Sequence, residues 1–238
     1  MMLDLANKVF LITGANRGIG LRCAEALCTR GARLSLGVRD PRSLARFLDE
    51  RDPGRIHIGQ YIAEDWASHT AWVEDAAATF GRIDGLINNA GISLDVTLRN
   101  ADEASLDRIW AINCKAPLNM IRLALPHLEA SGTGRVVNVA SMSGKRVRND
   151  NVAYNMSKFA VVALSHATRR IGWDKGVRVT ALCPSFVRTD MTQGATKIAA
   201  ADMTDPGDLA ELVATIVSLP NTASIAELLV NCRLEDMV

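Results

Sequence analysis

The chain has 238 residues, 48% apolar and 22% charged, which suits one α/β core in a single domain spanning 1–238 and excludes a disordered chain. Its 27 basic residues nearly balance 26 acidic ones, and a formal charge of +1 offers no global field for holding nucleic acid or an anionic membrane. No stretch reaches the roughly 20 unbroken apolar residues of a membrane span, and MMLDLANKVF lacks the pattern of a signal peptide, so a cytoplasmic protein is expected.

Short apolar runs alternate with helical segments. KVFLIT (8–13) precedes a helix over 17–30, ARLSLGV (32–38) one over 41–51, RIHIGQYI (55–62) one over 66–80, and RIDGLINN (82–89) one over 103–129. GRVVNVA (134–140) leads into a helix over 152–172, GVRVTALC (176–183) into one over 207–219, and AELLVN (226–231) closes the series. This pattern indicates an α/β protein, a Rossmann-like doubly wound domain with a seven-stranded parallel sheet covered on both faces. Residues 189–206 are the longest irregular stretch late in the chain and the expected mobile cover of a site. Cys23, Cys28, Cys114, Cys183 and Cys232 form no CxxC pair and read as reduced, packed thiols. His57, His69, His127 and His166 show no ligand spacing, so no metal site is expected.

After KVFLIT comes Gly14-Ala15-Asn16-Arg17-Gly18-Ile19-Gly20 and then an amphipathic helix. Glycine at these spacings permits a sharp turn and close backbone approach to a diphosphate, whose charge a helix N-terminus favours. A purely structural strand-to-helix turn is the alternative, but the place on the first strand of a βαβ unit favours a nucleotide. Later, Tyr154 and Lys158 stand four residues apart, on one face of the 152–172 helix. An ammonium beside a phenol favours the phenolate, so Lys158 is expected to lower the Tyr154 pKa from about 10.

TGANRGIG resembles the TGxxxGIG turn of the short-chain dehydrogenase/reductase family, and the likeness continues along the chain. Asn88-Asn89-Ala90-Gly91 resembles the family's NNAG element, and Asp84 lies in a matching GRIDGLINNAG context. Asn113, in WAINCKAP, is similar to the asparagine of the family's fourth helix. Ser141, in VVNVASMSG, precedes a YxxxK pair made by Tyr154 and Lys158, and Pro184-Ser185-Phe186-Val187-Arg188-Thr189 resembles PGxVxT.

The resemblance implies an NAD(P)(H)-dependent oxidoreductase that interconverts a carbonyl and an alcohol. It implies that Ser141 and Tyr154 hydrogen-bond the substrate oxygen, that Tyr154 moves the proton, that Lys158 holds the nicotinamide ribose and that Asn113 supports a water relay. Cofactor contacts are implied for Gly14, Asn16, Arg17, Gly18, Ile19, Gly20, Arg39, Asn89, Ala90, Gly91, Tyr154, Lys158, Pro184, Val187 and Thr189. A homodimer or homotetramer is implied too. The alternative is a catalytically idle NADP(H)-binding sensor or assembly protein, against which the intact Ser141, Tyr154 and Lys158 argue. Ser143, two residues from Ser141, would face the other way if the strand continued. Asn88 and Asn113 have a simpler reading as backbone stabilisers, and Thr189 as the cap of a following turn.

Several positions refine the expectation. Where NAD-preferring relatives carry an acid at the end of the second strand, this chain has Val38 followed by Arg39; with Arg17, two guanidinium groups suit a 2′-phosphate, so NADP(H) is preferred and NAD(H) is the alternative cofactor. Ile62 replaces an aspartate that accepts from the adenine amino group; an apolar side chain there packs on adenine, with Asp65 or backbone compensating. Ser185 replaces a glycine beside the nicotinamide, and the ending AELLVNCRLEDMV lacks the glycine-rich tail of the acyl-carrier-protein reductase branch. Pocket walls are expected from 93–98, 142–148 and 189–206. Lys145, Arg146 and Arg148 lie between Ser141 and Tyr154 and are candidates for reading a substrate anion, or else a solvated or subunit-contact patch.

Overall fold

The apolar runs form the strands β1 (Val9–Thr13), β2 (Arg33–Val38), β3 (Ile56–Gln60), β4 (Gly85–Asn88), β5 (Arg135–Val139), β6 (Arg178–Pro184) and β7 (Glu227–Val230). They make one seven-stranded sheet in the order β3-β2-β1-β4-β5-β6-β7, every pair parallel, in a computed structural model that describes residues 1–49 and 51–235. The helices are α1 (Gly18–Thr29), α2 (Ala45–Asp49), α3 (Trp66–Phe80), α4 (Glu103–Trp110), α5 (Ala116–Ala130), α6 (Val152–Gly172) and α7 (Pro206–Val217). Parallel pairing forces each connection across a face, so the central strands are buried on both sides, all five residues of β1 among them, while the edge strand β7 is only partly covered.

Two apolar layers result. Phe10, Ile12, Leu34 and Leu36 point towards α1 and α7, where Leu27, Leu209 and Val213 meet them. Val9, Leu11, Leu86 and Val136 point the other way, onto Trp72 of α3 and Met120 and Ala124 of α5. Each such large side chain, fully buried, contributes roughly 1.5–3 kcal/mol. Trp72 seats over β2 and β3 because a Cβ at Gly37 or Gly59 would meet its ring at 2.5 or 2.0 Å. Its indole N–H donates to Ser35 Oγ at 2.8 Å, so the one polar atom of this large ring is satisfied.

Ahead of β4, the buried Asp84 carboxylate ties neighbouring strands together. It accepts from Val9 N (3.0 Å), Lys8 Nζ (3.1 Å) and both Nε and Nη2 of Arg82 (2.7 and 2.6 Å). Burial alone pushes this carboxyl up, but the bonds from Arg82, Val9 and Lys8 outweigh it and hold the group below its ordinary range.

Two helical expectations need correcting. The single helix over 103–129 is α4, a wide π turn at Ala111–Lys115, and α5. Pro117 explains the break: it has no N–H to give the Asn113 carbonyl four residues back, and the Ala116 N–H bonds to Ala111 O instead. The segment after β2 is a 3-10 turn at Pro41–Leu44 followed by the short α2, with Asp40 capping the turn by accepting from Arg42 N. No helix among the described residues is long and apolar enough to cross a membrane.

Candidate active site

The strand order reverses between β1 and β4, so the connections leaving their C-terminal ends diverge and leave a crevice. A cleft of about 740 Å³ opens there. One wall is the glycine turn between β1 and α1. Gly14 and Gly18 adopt φ of +66° and +54°, the left-handed region that glycine enters without penalty. At the start of α1, Arg17 makes no side-chain capping bond and the first turn holds no acidic residue, so its backbone N–H groups have no side-chain oxygen to accept from them. That arrangement suits a diphosphate.

The turn is braced from behind. Thr13 Oγ1 accepts from Asn89 N and Ala90 N (2.9 and 3.0 Å), while Asn89 Nδ2 donates to the carbonyls of Thr13 and Gly14. Gly20 does not line the cleft, contrary to its expected cofactor contact. A Cβ there would sit 2.5 Å from both Asn89 Nδ2 and Gly14 O, so this glycine makes room for the brace.

α6 supplies the opposite wall. Asn151 caps it by accepting from Tyr154 N at 3.2 Å, and its own Nδ2 donates to Leu94 O at 2.6 Å, which fixes where the helix starts. Tyr154 and Lys158 both reach the cleft, with Lys158 Nζ 5.5 Å from the Tyr154 ring centre. Lys158 is buried, and its ammonium donates to Val139 O at 2.9 Å. Burial pulls its pKa from 10.5 down to about 8. Tyr154 differs from expectation: burial pushes its hydroxyl up, and the opposing contribution is a hydrogen bond with Ser141 rather than the field of Lys158.

Ser141 lines the cleft, and Ser143 does not. The reason is not strand alternation: β5 has ended, and Ser141 caps a 3-10 turn at Met142–Gly144 by accepting from Ser143 N at 3.0 Å, which leaves Ser143 buried. Asn113 lies behind the cleft in the π turn. Its Oδ1 accepts from Ile92 N and its Nδ2 donates to Ile92 O and Ser157 Oγ, all within 3.0 Å, so it clamps the loop after β4 to α6. Asn88 is likewise interior, donating to Asn138 Oδ1, while Asn138 Nδ2 donates to Ser165 Oγ.

Asn16, Arg17, Ile19, Arg39, Asn89, Ala90, Gly91, Pro184, Val187 and Thr189 all line the cleft as expected. Thr189 also caps the turn at Asp190–Thr192, so its simpler reading holds alongside. At the far end the lining is Tyr61, Ala63 and Glu64 rather than Ile62. Ile62 turns its backbone inward, its carbonyl accepting from Ser68 Oγ and His69 Nε2, and Asp65 is occupied capping α3. Glu64 and Arg108, paired at 3.3 Å across this end, were not anticipated; they come from elements 44 residues apart with no motif to join them. Of the expected pocket walls, only 189–192 line the cleft, while 93–98 and 142–148 lie outside its lining.

The cations after Ser141 are ion-paired. Lys145 Nζ is 2.6 Å from Glu227, and Arg146 grips Glu235 through Nε and Nη2 at 2.5–2.8 Å, with Arg148 3.3 Å from the same carboxylate. Glu235 also accepts from Ser185 Oγ at 3.3 Å, which gives the serine at the family's glycine position a definite partner. The expectation that these cations read a substrate anion therefore meets side chains already engaged by carboxylates of the chain itself.

The family model described as short chain dehydrogenase matches residues 8–200. The chain belongs to the short-chain dehydrogenase family. That family comprises oxidoreductases using NAD(P)(H). Among its relatives, an agropine synthesis reductase of Rhizobium rhizogenes is 44% identical over 232 residues, covering 97% of this chain and 54% of that protein. A second protein of that name and organism is 43% identical, with 53% of its length covered, so the chain spans about half the length of both. A ketoacyl reductase, HetN, of Nostoc is 33% identical over 80% of this chain and 68% of its own. Among solved structures, a 3-ketoacyl-(acyl-carrier-protein) reductase from Brucella melitensis, complexed with NADH, superposes with a TM-score of 0.88 at 29% identity, covering 96% of this chain and 98% of that one.

Proposed function

We propose that the chain is an NADP(H)-preferring oxidoreductase that interconverts a carbonyl and an alcohol on a small-molecule substrate, with Tyr154 transferring the proton. The observation that carries this reading is the meeting, in one cleft, of an uncapped helix N-terminus with Ser141, Tyr154 and Lys158. A dinucleotide fits the residues present: the φ-positive Gly14 and Gly18 leave backbone room for its diphosphate, and Lys158 has donors beyond the one given to Val139. When bound, the nicotinamide would supply or accept the hydride.

The chain's own part is electrostatic. Ser141 and Tyr154 present hydroxyls that favour a substrate oxygen as negative charge grows on it, so they stabilise the transition state more than the ground state. Because burial raises the Tyr154 pKa, the hydroxyl stays protonated and ready to donate in the reducing direction. The Ser141 hydroxyl, whose hydrogen bond opposes the rise in the Tyr154 pKa, stabilises the phenolate that remains. Asn113 positions the loop and α6 between which a relay would run, and Pro117 frees the Asn113 carbonyl from its ordinary helical donor.

NADP(H) preference rests on Arg17 and Arg39 in the cleft lining and on Val38 where an acid would serve NAD(H). Asp40, two residues after Val38, is engaged by both Nε and Nη2 of Arg42 at 3.0 Å. NAD(H) is the second reading, since Asp40 still lines the cleft. Trp110, Leu118, Met156 and Phe159, all exposed on α4, α5 and α6, support self-association into a homodimer or homotetramer. Five free cysteines support a reducing, cytoplasmic setting. Oxidation of NADPH and NADH followed with a panel of aldehydes and ketones tests the reading. Turnover that favours NADPH supports it, whereas cofactor binding without turnover of any substrate would point to the idle sensor or assembly protein.

A further inference from the structure

Arg17 belongs to the glycine turn, and Asp190 opens the 3-10 turn that follows β6 on another side of the cleft. Their side chains meet: Arg17 Nη1 lies 2.9 Å from Asp190 Oδ2. Both line the cleft, and both are more than half exposed, at 66% and 55%, so the pair bridges the mouth rather than the floor. Arg17 is thus held by an oxyanion of the chain itself, at the place where a ligand's phosphate would need it. Asp190 also stands at the head of residues 190–206, whose only regular structure before α7 is two short 3-10 turns.

We infer that Asp190 competes with the cofactor's 2′-phosphate for Arg17, and thereby sets how strongly the chain favours NADP(H) over NAD(H). The inference rests on the reading of Arg17 as a phosphate-binding cation. The chemistry is a competition of two anions for one guanidinium: Asp190 holds Arg17 through Nη1 alone, and its negative charge repels a phosphate brought to the same cation, so the phosphate binds fully only as the carboxylate withdraws. NAD(H) has no such phosphate and leaves the pair closed. An exposed ion pair is worth up to about 1 kcal/mol, which converts to a factor of about five in affinity. The competition therefore tunes preference without abolishing it, and it couples the loop headed by Asp190 to the kind of cofactor bound.

Fluorescence titration of NADPH and NADH against wild type, Asp190→Asn, Asp190→Ala, Arg17→Ala and the Arg17→Ala/Asp190→Asn double variant tests this. Both Asp190 variants should bind NADPH about fivefold more tightly and NADH with less than twofold change. The gain should vanish in the Arg17→Ala background and shrink as salt screens the exposed pair. Equal tightening of both cofactors, or a gain that survives without Arg17, overturns the competition while leaving the NADP(H) reading intact. If Arg17→Ala leaves the NADPH-to-NADH ratio unchanged, the phosphate reading of Arg17 fails and this inference falls with it.

Discussion

The Arg146 guanidinium grips the Glu235 carboxylate with both Nε and Nη2 across 89 residues of sequence, and both side chains are buried, at 8% and 1% exposure. Burial alone would push Glu235 up; the bonds from Arg146, with help from Ser185 and Arg148, hold its pKa below the ordinary range. A depressed folded pKa contributes stability above the ordinary carboxylate range, and that stability is lost as pH falls through the folded value.

Removing one partner leaves the other as an uncompensated buried charge. Glu235→Ala should therefore cost about 3–5 kcal/mol, measured by thermal or urea unfolding at neutral pH. The Arg146→Met/Glu235→Leu double variant, which removes both charges and keeps the volume, should recover most of that loss. A double variant no more stable than Glu235→Ala would show that the pair does more than neutralise itself.

Tyr154→Phe keeps the ring and removes the transferable proton. Turnover should fall at least about a hundredfold, while NADPH affinity by fluorescence stays within about twofold. Near-normal turnover would take Tyr154 out of the chemistry.

Lys158 offers a pH test with a defined sign. Its folded pKa of about 8 lies below its ordinary 10.5, so the unfolded chain binds the extra proton between those values and the lysine makes stability rise with pH across that window. Below about pH 8 the cost of burying the ammonium is fully present. Lys158→Met should accordingly be more stable than wild type at pH 7, by roughly 1–2 kcal/mol after losing the bond to Val139, and inactive. Its advantage should shrink between pH 8 and 10.5. A difference between the two proteins that does not vary with pH would contradict the burial argument.

Phe159 and Met156 are 43% and 54% exposed on α6, and Leu118 is exposed on α5. Phe159→Glu should shift the protein to a smaller species in light scattering while leaving its circular dichroism unchanged. An unaltered mass would place the subunit contact elsewhere, or reveal a monomer.

Much of this site could be read from the sequence because its parts obey local rules. Gly14 and Gly18 sit where φ is positive, a demand few other residues meet, and the four-residue step from Tyr154 to Lys158 is one turn of helix. Strand and helix order followed from hydrophobic periodicity, which survives even where boundaries shift by a residue or two. What escaped was long-range pairing of charges. Arg17 with Asp190, Arg108 with Glu64, and Arg146 with Glu235 join residues 173, 44 and 89 apart, and a charged side chain in sequence carries no mark of its partner. Ile62 misled for a related reason: alignment by motif gave its position, but the turn bonded to Ser68 and His69 decided which way it faced. Pro117, inside an apolar rhythm that otherwise runs on, carries the signal of the π turn.

That proline has a geometric consequence beyond the missing bond. An α-helix advances about 100° per residue, so a π turn, which winds an extra residue into one revolution, rotates everything after it relative to everything before. The wide turn at Ala111–Lys115 thus works as a phase adjuster between α4 and α5. It lets Asn113 point inward to Ile92 and Ser157 while Trp110, three residues earlier, and Leu118, five residues later, both emerge at the surface. Deleting a single residue from this turn would leave two good helices and an intact sheet. The angular offset would be gone, and Asn113 could no longer face α6 without turning one apolar stripe away from the core.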